Sequence, residues 1–258
     1  MDGFPQFIIS LFTTPLYAAY KKLPDYFNLT LSYRRDSDLV YLYDGFKPIE
    51  NHSDSNQVWL EKEVLDNVNA KSMPILATIS NCNTPSKREL YLKELDKYIN
   101  ITKIGRCYNN SCKRGDKCED ELIKKHFFIL AFENSVCNDY ITEKFWRLKK
   151  LIVPIVLNRN IIRDPELQNY FIAASDFSHP SKLAEYLNYL MKNRIEYMKY
   201  MNWAKKYRKI QESFEIDALC KLCEMTTKKV RQAIPNIVDW WEIKSNCSSN
   251  YANKLLER

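Results

Sequence analysis

The sequence predicts an α/β protein built around a parallel β-sheet with crossover helices. From Ser72 onward, short apolar runs alternate with helical segments, and this alternation is typical of βαβ units. Hydrophobic residues make up 45% and aromatic residues 13% of the 258 residues, which is enough to fill a large core and argues against a disordered chain. Residues 1–70 lack this alternation, and we assign them to a separate region.

Local sequence patterns locate the individual elements. Strands are predicted where apolar residues run together between turn signals, at residues 7–12, 29–35, 73–79, 101–104, 127–132 and 151–157. Helices are predicted at residues 87–98, 120–125, 140–150, from Pro180 onward, and at 212–230. Ser86 and Glu89 fit a capping box before the first of these helices, and Asp139 is a suitable N-cap for the third. Polar loops are predicted at residues 45–57 and 106–119.

Glycine content and charge exclude several classes of function. The chain has 4 glycines, and neither a dinucleotide-binding nor a P-loop fingerprint can be written from them. Any phosphate site must therefore use side chains and a helix N-terminus. The net charge of +7 is spread along the chain, so a solvated basic surface with one anionic-ligand pocket is favoured over nucleic-acid binding.

Cysteines and glycosylation sequons together favour an oxidising, secretory compartment. The N-x-[ST] sequons lie at Asn28, Asn51, Asn100, Asn109 and Asn246. The spacings of the 8 cysteines do not repeat the pattern of a zinc site, so disulfides are favoured over zinc. The disulfide candidates, with connectivity left open, are Cys107, Cys112, Cys118, Cys220 and Cys223. The chain contains neither a signal peptide nor a run of about 20 apolar residues, so a membrane anchor is expected upstream of it.

The strongest candidate site is the strand–loop–helix unit at residues 128–147. In a parallel sheet, ligands bind at the carboxyl ends of the strands, and Asn134 leaves the predicted strand at that edge. Tyr140, Glu143 and Lys144 are expected on the first helical turn, where an amine can neutralise a phosphate and a carboxylate can accept hydrogen bonds from sugar hydroxyls. The unit predicts a pocket for a phosphorylated, hydroxyl-rich ligand. From spacing alone, Glu143 and Lys144 are equally well explained as ordinary solvated residues.

Several separate blocks of sequence resemble one family. The string F-E-N-S-x-x-x-D-Y-I-T-E-K-x-W-R ends at Arg147, and it is similar to the signature of the α-1,3-fucosyltransferases, an inverting GDP-fucose family with two Rossmann-like domains. Residues 28–38, residues 80–82 together with Arg88, residues 176–203 and the pair Cys220 and Cys223 resemble further blocks of that family. The resemblance implies a GT-B-like fold with three regions. These are a remnant of the N-terminal acceptor domain (1–70), a GDP-fucose-binding Rossmann-like domain (71–230) and a C-terminal tail (231–258).

The resemblance also implies roles for individual residues. Arg88 and Lys144 neutralise the GDP pyrophosphate, while Asn134, Tyr140 and Glu143 contact the nucleotide sugar. Glu143 in addition favours an oxocarbenium-like fucosyl group. Two cations replace the metal of other sugar-nucleotide enzymes, so GDP-fucose is expected as a substrate, with no tightly bound cofactor and no obligatory metal.

The same resemblance sets expectations for metal sites, acceptor and location. The Asp36-Ser-Asp38 sequence looks like a metal motif, but the block it belongs to favours a structural role. The implied acceptor is a GlcNAc-containing glycan or glycoprotein. The implied location is the lumenal side of the Golgi apparatus, as in a type II membrane protein.

One residue departs from the pattern of this family. An inverting transfer needs a general base, and the family places a Glu in an E-S-P segment where this chain has Thr13. Threonine does not act as a base near neutral pH. Two hypotheses therefore stand: an active fucosyltransferase, and a catalytically impaired or truncated donor-binding protein without the general base.

Overall fold

The computed structural model describes residues 7–10, 24–50, 55–110, 112, 117–228 and 233–258. Within these ranges the strands are β1 (Phe7–Ser10), β2 (Leu29–Ser32), β3 (Leu39–Val40), β4 (Met73–Thr78), β5 (Ile101–Ile104), β6 (His126–Leu130), β7 (Val153–Val156) and β8 (Ile172–Ala173). The α-helices are α1 (Glu61–Asn69), α2 (Arg88–Leu95), α3 (Lys117–Lys125), α4 (Glu143–Trp146), α5 (Pro180–Lys192), α6 (Arg194–Lys199), α7 (Glu215–Thr227) and α8 (Tyr251–Leu256). Short 3₁₀ segments lie at Ser55–Gln57, Arg106–Tyr108, Arg147–Lys150, Arg159–Ile161, Pro165–Asn169, Ala174–Asp176 and Asn202–Lys205, and a π-helical turn at Asp239–Ile243.

The larger sheet is parallel throughout, which confirms the predicted α/β class. Its five strands are ordered β5–β4–β6–β7–β8. Ile75 of β4 lies opposite Ile101 on one side and Phe128 on the other. The chain therefore passes from β4 to β5 on one side, then returns to place β6 on the other side. This reversal is the position at which open α/β sheets bind ligands, outside the carboxyl ends of the strands.

Helices cover both faces of this sheet. Ile75 and Phe128 belong to the large buried cluster on the face where α2, α5 and α8 pack. Leu76 and Ile129, one residue further along each strand, face the opposite way and pack with Ile123 of α3. Because β6 is buried along its whole length, it is the continuous apolar run expected of a strand inside a parallel sheet.

A second, three-stranded sheet of order β1–β2–β3 is formed by the first part of the chain and is also parallel. Arg34, which follows β2, is 2% exposed and stacks over Trp240, with its guanidinium carbon 4.3 Å from the ring centroid. In α8, Ala252 and Leu255 are buried in the large core cluster. The C-terminal tail therefore contacts the segment after β2 through Trp240 and the core of the larger sheet through α8. The domain boundaries at residues 70 and 230 stay predictions.

The predicted capping box at the start of α2 is wrong. Ser86 is buried and its hydroxyl donates to the main-chain carbonyl of Glu133, 2.8 Å away. Glu89 accepts a hydrogen bond from the Thr84 hydroxyl instead of the N-cap amide. The helix begins after Lys87, which adopts a left-handed conformation with φ 56°. A tertiary contact to the end of β6 has replaced the local cap.

The remaining helix predictions hold with shifted ends. Pro180 begins α5 as expected, and α7 is shorter than the predicted segment 212–230. The predicted helix at residues 140–150 is only α4 followed by a 3₁₀ turn. Among the residues that the structure describes, no helix is long and apolar enough to cross a membrane.

Candidate functional site

A cavity of about 320 Å³ opens at the carboxyl edge of the larger sheet, where β4, β5 and β6 end. It is lined by residues that follow each of these strands and by the start of α4. Four of the predicted donor residues meet there, namely Arg88, Asn134, Glu143 and Lys144. Because β5 is added on one side of β4 and β6 on the other, the segments that follow strands on both sides of β4 reach this one opening.

Arg88 is the most unusual of these residues because it is a buried cation that no carboxylate contacts among the residues the structure describes. Its side chain is 2% exposed, and its guanidinium donates to the carbonyls of Phe132 and Asn81 at 2.6 and 3.1 Å. Its Nε has no partner within the described part of the chain. Burial holds the pKa of Arg88 below its usual value, yet a guanidinium stays charged at neutral pH. The positive charge is thus available to a ligand.

Lys144 is held by the buried carboxylate of Glu133. Its ammonium lies 2.8 Å from Glu133 and 2.9 Å from the Thr142 hydroxyl. Glu133 is 3% exposed and also accepts from the Thr142 amide and hydroxyl, each at 2.8 Å. Thr142 in turn is the N-cap of α4. Glu133 thereby fixes both the start of the helix and the direction of the lysine.

Two further predicted residues offer groups that suit sugar hydroxyls. Asn134 has a buried side-chain oxygen without a partner in the described residues. The Glu143 side chain is 32% exposed, and its carboxylate lies 3.8 Å from the Lys144 ammonium. Carboxylate and amide groups at the rim of a cationic pocket can orient a hydroxyl-rich ligand.

Tyr140 does not line the cavity, and its predicted contact with the nucleotide sugar stays a prediction. It is 5% exposed and packs with Tyr33 and Trp241 in a separate aromatic cluster. Burial raises the pKa of its phenol well above the usual value. The helix begins at Glu143, so Tyr140 and Lys144 do not share a helical face as the spacing predicted.

Asp139 is likewise not an N-cap. Its φ of 60° is left-handed and its side chain is buried. The carboxylate accepts from the Arg163 guanidinium at 2.9 Å and from the Arg35 amide at 3.1 Å. Asp139 therefore joins its own segment to those of Arg163 and Arg35. These long-range hydrogen bonds replace the local capping hydrogen bond that the sequence predicted.

The cysteines of the described residues form three disulfides. The bridges are Cys82–Cys107, Cys112–Cys118 and Cys137–Cys247. The first joins the segments after β4 and β5, and the second joins Cys112, which lines the cavity, to the first turn of α3. The predictions for Cys107, Cys112 and Cys118 are confirmed, whereas Cys82, the partner of Cys107, and both cysteines of the third bridge lie outside the predicted set.

The prediction for Cys220 and Cys223 is wrong, because both are free, exposed thiols on α7. Residues three apart on a continuous α-helix share a face, but their Cβ atoms lie about 5–6 Å apart, which exceeds the roughly 3.5–4.5 Å that a disulfide requires. Gly105 completes the cavity wall: its φ is 114°, and a Cβ there would lie 2.2 Å from the carbonyl oxygen of Ile79. Only glycine allows this close approach.

Sequence reasoning missed several charged groups at the site. Arg106 and Arg147 line the cavity and add two cations, and Glu119 adds a carboxylate. Arg106 falls in a predicted polar loop and carried no signal, whereas Arg147 ends the signature string, and that motif position was its available signal. Glu133, which supports Lys144, directly precedes Asn134 at the end of a buried strand, and that position was its available signal.

The Asp36-Ser-Asp38 sequence has structural partners. Asp36 pairs with Arg34, and Asp38 accepts from the amide and hydroxyl of Thr30, each at 2.8 Å. These contacts close the turn between β2 and β3. Within the described ranges, no group of three acidic, histidine or cysteine side chains has the arrangement of a metal site.

The sequons occupy different environments. Asn100, Asn109 and Asn246 are exposed, and Asn28 is half-buried. Asn51 and Thr13 lie outside the described residues. Glycosylation of these asparagines and the role of position 13 stay predictions.

Comparison with known proteins identifies the family. The model of the C-terminal part of glycosyltransferase family 10 (fucosyltransferase) matches residues 68–240. This chain belongs to glycosyltransferase family 10. Because this match covers more than half of the chain, the family, its glycosyltransferase class and the motif resemblance are confirmed. All residues that line the cavity lie within the matched range.

Two curated relatives illustrate the similarity. The alpha-(1,3)-fucosyltransferase fut-1 of Caenorhabditis elegans is 34% identical over 230 residues, which cover 84% of this chain and 52% of that protein. A 3-galactosyl-N-acetylglucosaminide 4-alpha-L-fucosyltransferase of Bos taurus is 33% identical over 229 residues, covering 86% of this chain and 59% of that protein. The chain spans about half the length of the curated relatives it matches.

A solved structure supports the fold. A crystal structure of an alpha1,3-fucosyltransferase with GDP superimposes with a TM-score of 0.56 at 18% identity, covering 80% of this chain and 72% of that chain. The predicted GT-B-like α/β fold is thereby confirmed.

Proposed function

We propose that the cavity binds GDP-fucose and that this chain carries the donor-binding half of a fucosyltransferase. The observation that supports the proposal most strongly is Arg88. A buried charge is costly unless an opposite charge pairs with it. Among the described residues no carboxylate contacts this guanidinium, which opens on a cavity that also presents Lys144. A diphosphate supplies the missing negative charge.

The proposed chemistry uses the residues that the cavity brings together. Arg88 and Lys144 bind the pyrophosphate and stabilise GDP as it leaves with its negative charge. Asn134 and Glu143 bind hydroxyls, and the Glu143 carboxylate favours positive charge on the fucosyl group. Because cations already neutralise the diphosphate, we expect no obligatory metal. Tyr140 does not line the cavity, but its phenol is close enough to Arg88, Glu133 and Glu143 to interact with their charges, and it stays a proposed contact of the nucleotide sugar.

We further propose transfer of L-fucose to a GlcNAc-containing glycan, with α-1,3 linkage and inversion, on the lumenal side of the Golgi apparatus. Three disulfides and three exposed sequons are in keeping with an oxidising, secretory compartment. The two relatives above carry different linkages in their names, so the linkage needs its own test.

The donor site is tested by calorimetric titration with GDP. Arg88→Gln should raise the GDP dissociation constant about 10- to 100-fold, the usual loss when a charged hydrogen bond is removed. Lys93→Gln is the matched control, because Lys93 lies exposed on the same helix and carries the same charge. Absence of GDP binding by the folded parent protein would refute the donor site.

Transfer is tested separately, with labelled GDP-fucose and a panel of glycan acceptors. Product analysis then gives the linkage and the anomeric configuration. No transfer by a folded protein that binds GDP would leave the second hypothesis, a donor-binding protein without catalysis. That hypothesis is favoured by Thr13, which stands where the family places its general base. Activity restored by Thr13→Glu would show that only the base is missing.

A further inference from the structure

Arg147 is a cavity residue with an unusual set of contacts. It follows Lys144 by one helical turn and its side chain is 11% exposed. Its Nε and Nη2 both donate to one carboxylate oxygen of Glu119, at 3.0 and 2.6 Å. Its Nη1 is buried and has no partner in the part of the chain that the structure describes. The ion pair therefore engages Nε and Nη2 of the guanidinium, and Nη1 is left as a buried donor without a partner among the described residues.

The partner of Arg147 is itself held in place. Glu119 is 5% exposed and lies in the first turn of α3. It directly follows Cys118, which is bridged to Cys112, and both Cys112 and Glu119 line the cavity. The guanidinium is thus supported from a second element, and little rotation is open to it.

A neighbouring ion pair shows what a purely structural contact between these elements looks like. Lys150 of the same 3₁₀ turn pairs with Asp120 of α3, and both side chains are about half exposed, at 46% and 45%. Neither residue lines the cavity. Arg147 differs in that it is only 11% exposed and has a buried Nη1 without a partner among the described residues, which is costly unless a ligand satisfies it.

We propose that Arg147 is a third phosphate-binding cation of the donor pocket, and that Glu119 is its positioning residue. This inference rests on the proposed function. Arg88, Lys144 and Arg147 then surround the diphosphate from α2, α4 and the following turn. Because Glu133 and Glu119 already pair with Lys144 and Arg147, the contribution of Arg147 is a directed hydrogen bond from a fixed guanidinium rather than free charge.

The test compares ligands that differ only in phosphate. Dissociation constants for guanosine, GMP and GDP are measured on the full chain for the parent, Arg147→Gln, Arg147→Lys and the control Lys150→Gln. Arg147→Gln should raise the GDP constant about 10- to 100-fold and change the guanosine constant by no more than about twofold. Arg147→Lys should recover only part of the loss, and Lys150→Gln should change neither constant.

A structural role of Arg147 predicts a different result. It would weaken guanosine and GDP binding equally, leave their ratio unchanged and overturn the inference. If Arg147→Gln does not fold, the double variant Glu119→Gln/Arg147→Gln removes both charges together, and an unchanged guanosine-to-GDP ratio in it has the same meaning. If the parent binds no GDP, the proposed function fails; if GDP binding depends on Arg88 but not on Arg147, only this inference fails.

Discussion

Removing the charge of Glu133 should lower the free energy of unfolding, because the Lys144 ammonium then loses its ion-pair partner. Glu133 is nearly fully buried and accepts three hydrogen bonds, two from Thr142 and one from the Lys144 ammonium. Glu133→Gln keeps an oxygen for Thr142 but leaves the ammonium, in a side chain that is 16% exposed, beside a neutral amide. The perturbation therefore isolates the charge interaction from the shape of the turn.

The size of the effect follows from the geometry. At 2.8 Å the charge attraction is about 6 kcal/mol with an effective dielectric constant of roughly 20. The desolvation of both charges offsets part of this, and the remaining exposure of Lys144 screens it further. We expect Glu133→Gln to lower the free energy of unfolding by about 3 kcal/mol, and the coupling energy with Lys144→Met to be about 2 kcal/mol.

Urea denaturation of the parent, the two single variants and the double variant measures this coupling. Lys182 and Glu185 provide a control cycle, because both side chains are more than half exposed although their ions are also 2.8 Å apart. That pair should couple by less than about 0.5 kcal/mol. Equal coupling in the two cycles would show that burial of Glu133 does not strengthen its pair, and the account of how Lys144 is held would be wrong.

Three further predictions concern stability and thiol chemistry. Burial holds the pKa of His126 below its usual value, so the unfolded chain protonates first. The free energy of unfolding should then fall below about pH 6.5, by up to roughly 1.4 kcal/mol per pH unit, and His126→Gln should remove that slope in urea titrations. Gly105→Ala should cost about 2 kcal/mol or more, because its methyl group meets the Ile79 carbonyl and φ is 114°. Without reductant, a thiol reagent should modify only Cys220 and Cys223.

Each of these three has a clear contrary outcome. An identical pH slope in the parent and in His126→Gln would assign the acid sensitivity to other groups. Asn109→Gly is the control for Gly105→Ala, since Asn109 has a left-handed φ of 50° and glycine should be tolerated there. More than two reactive thiols in the unreduced, denatured chain would contradict the bridges, since the remaining six cysteines are paired.

Local patterns were sufficient for the parallel sheet and for part of the site. Apolar runs located β4, β6 and β7 to within a few residues, because strands inside a parallel sheet are largely apolar on both faces. The short edge strand β5 also lies where it was predicted, at residues 101–104. Asn134, Glu143 and Lys144 were found because residues that leave such a strand share one sheet edge. Arg88, far away in sequence, was found only through the family resemblance, and the cavity confirms that it lies with the others.

The errors share one physical cause, which is a distant partner that outcompetes a local one. Ser86 bonds the end of β6 instead of capping α2, and Asp139 bonds Arg163 and Arg35 instead of capping α4. Tyr140, predicted on the first turn of α4, packs instead in an aromatic cluster with Tyr33 and Trp241. None of these partners is visible in a window of neighbouring residues, since each lies more than 20 positions away or in another element.

The sequence by itself determined the fold class, the sheet edge that carries the site and the cationic character of its ligand pocket, because these depend on periodicity and residue type. Only the tertiary structure decided how the charges are arranged. It pairs Lys144 with Glu133 and Arg147 with Glu119, whereas the partners of the Arg88 guanidinium within the described ranges are main-chain carbonyls. Such pairing depends on distances of a few ångströms between separate elements, and spacing along the chain does not encode them.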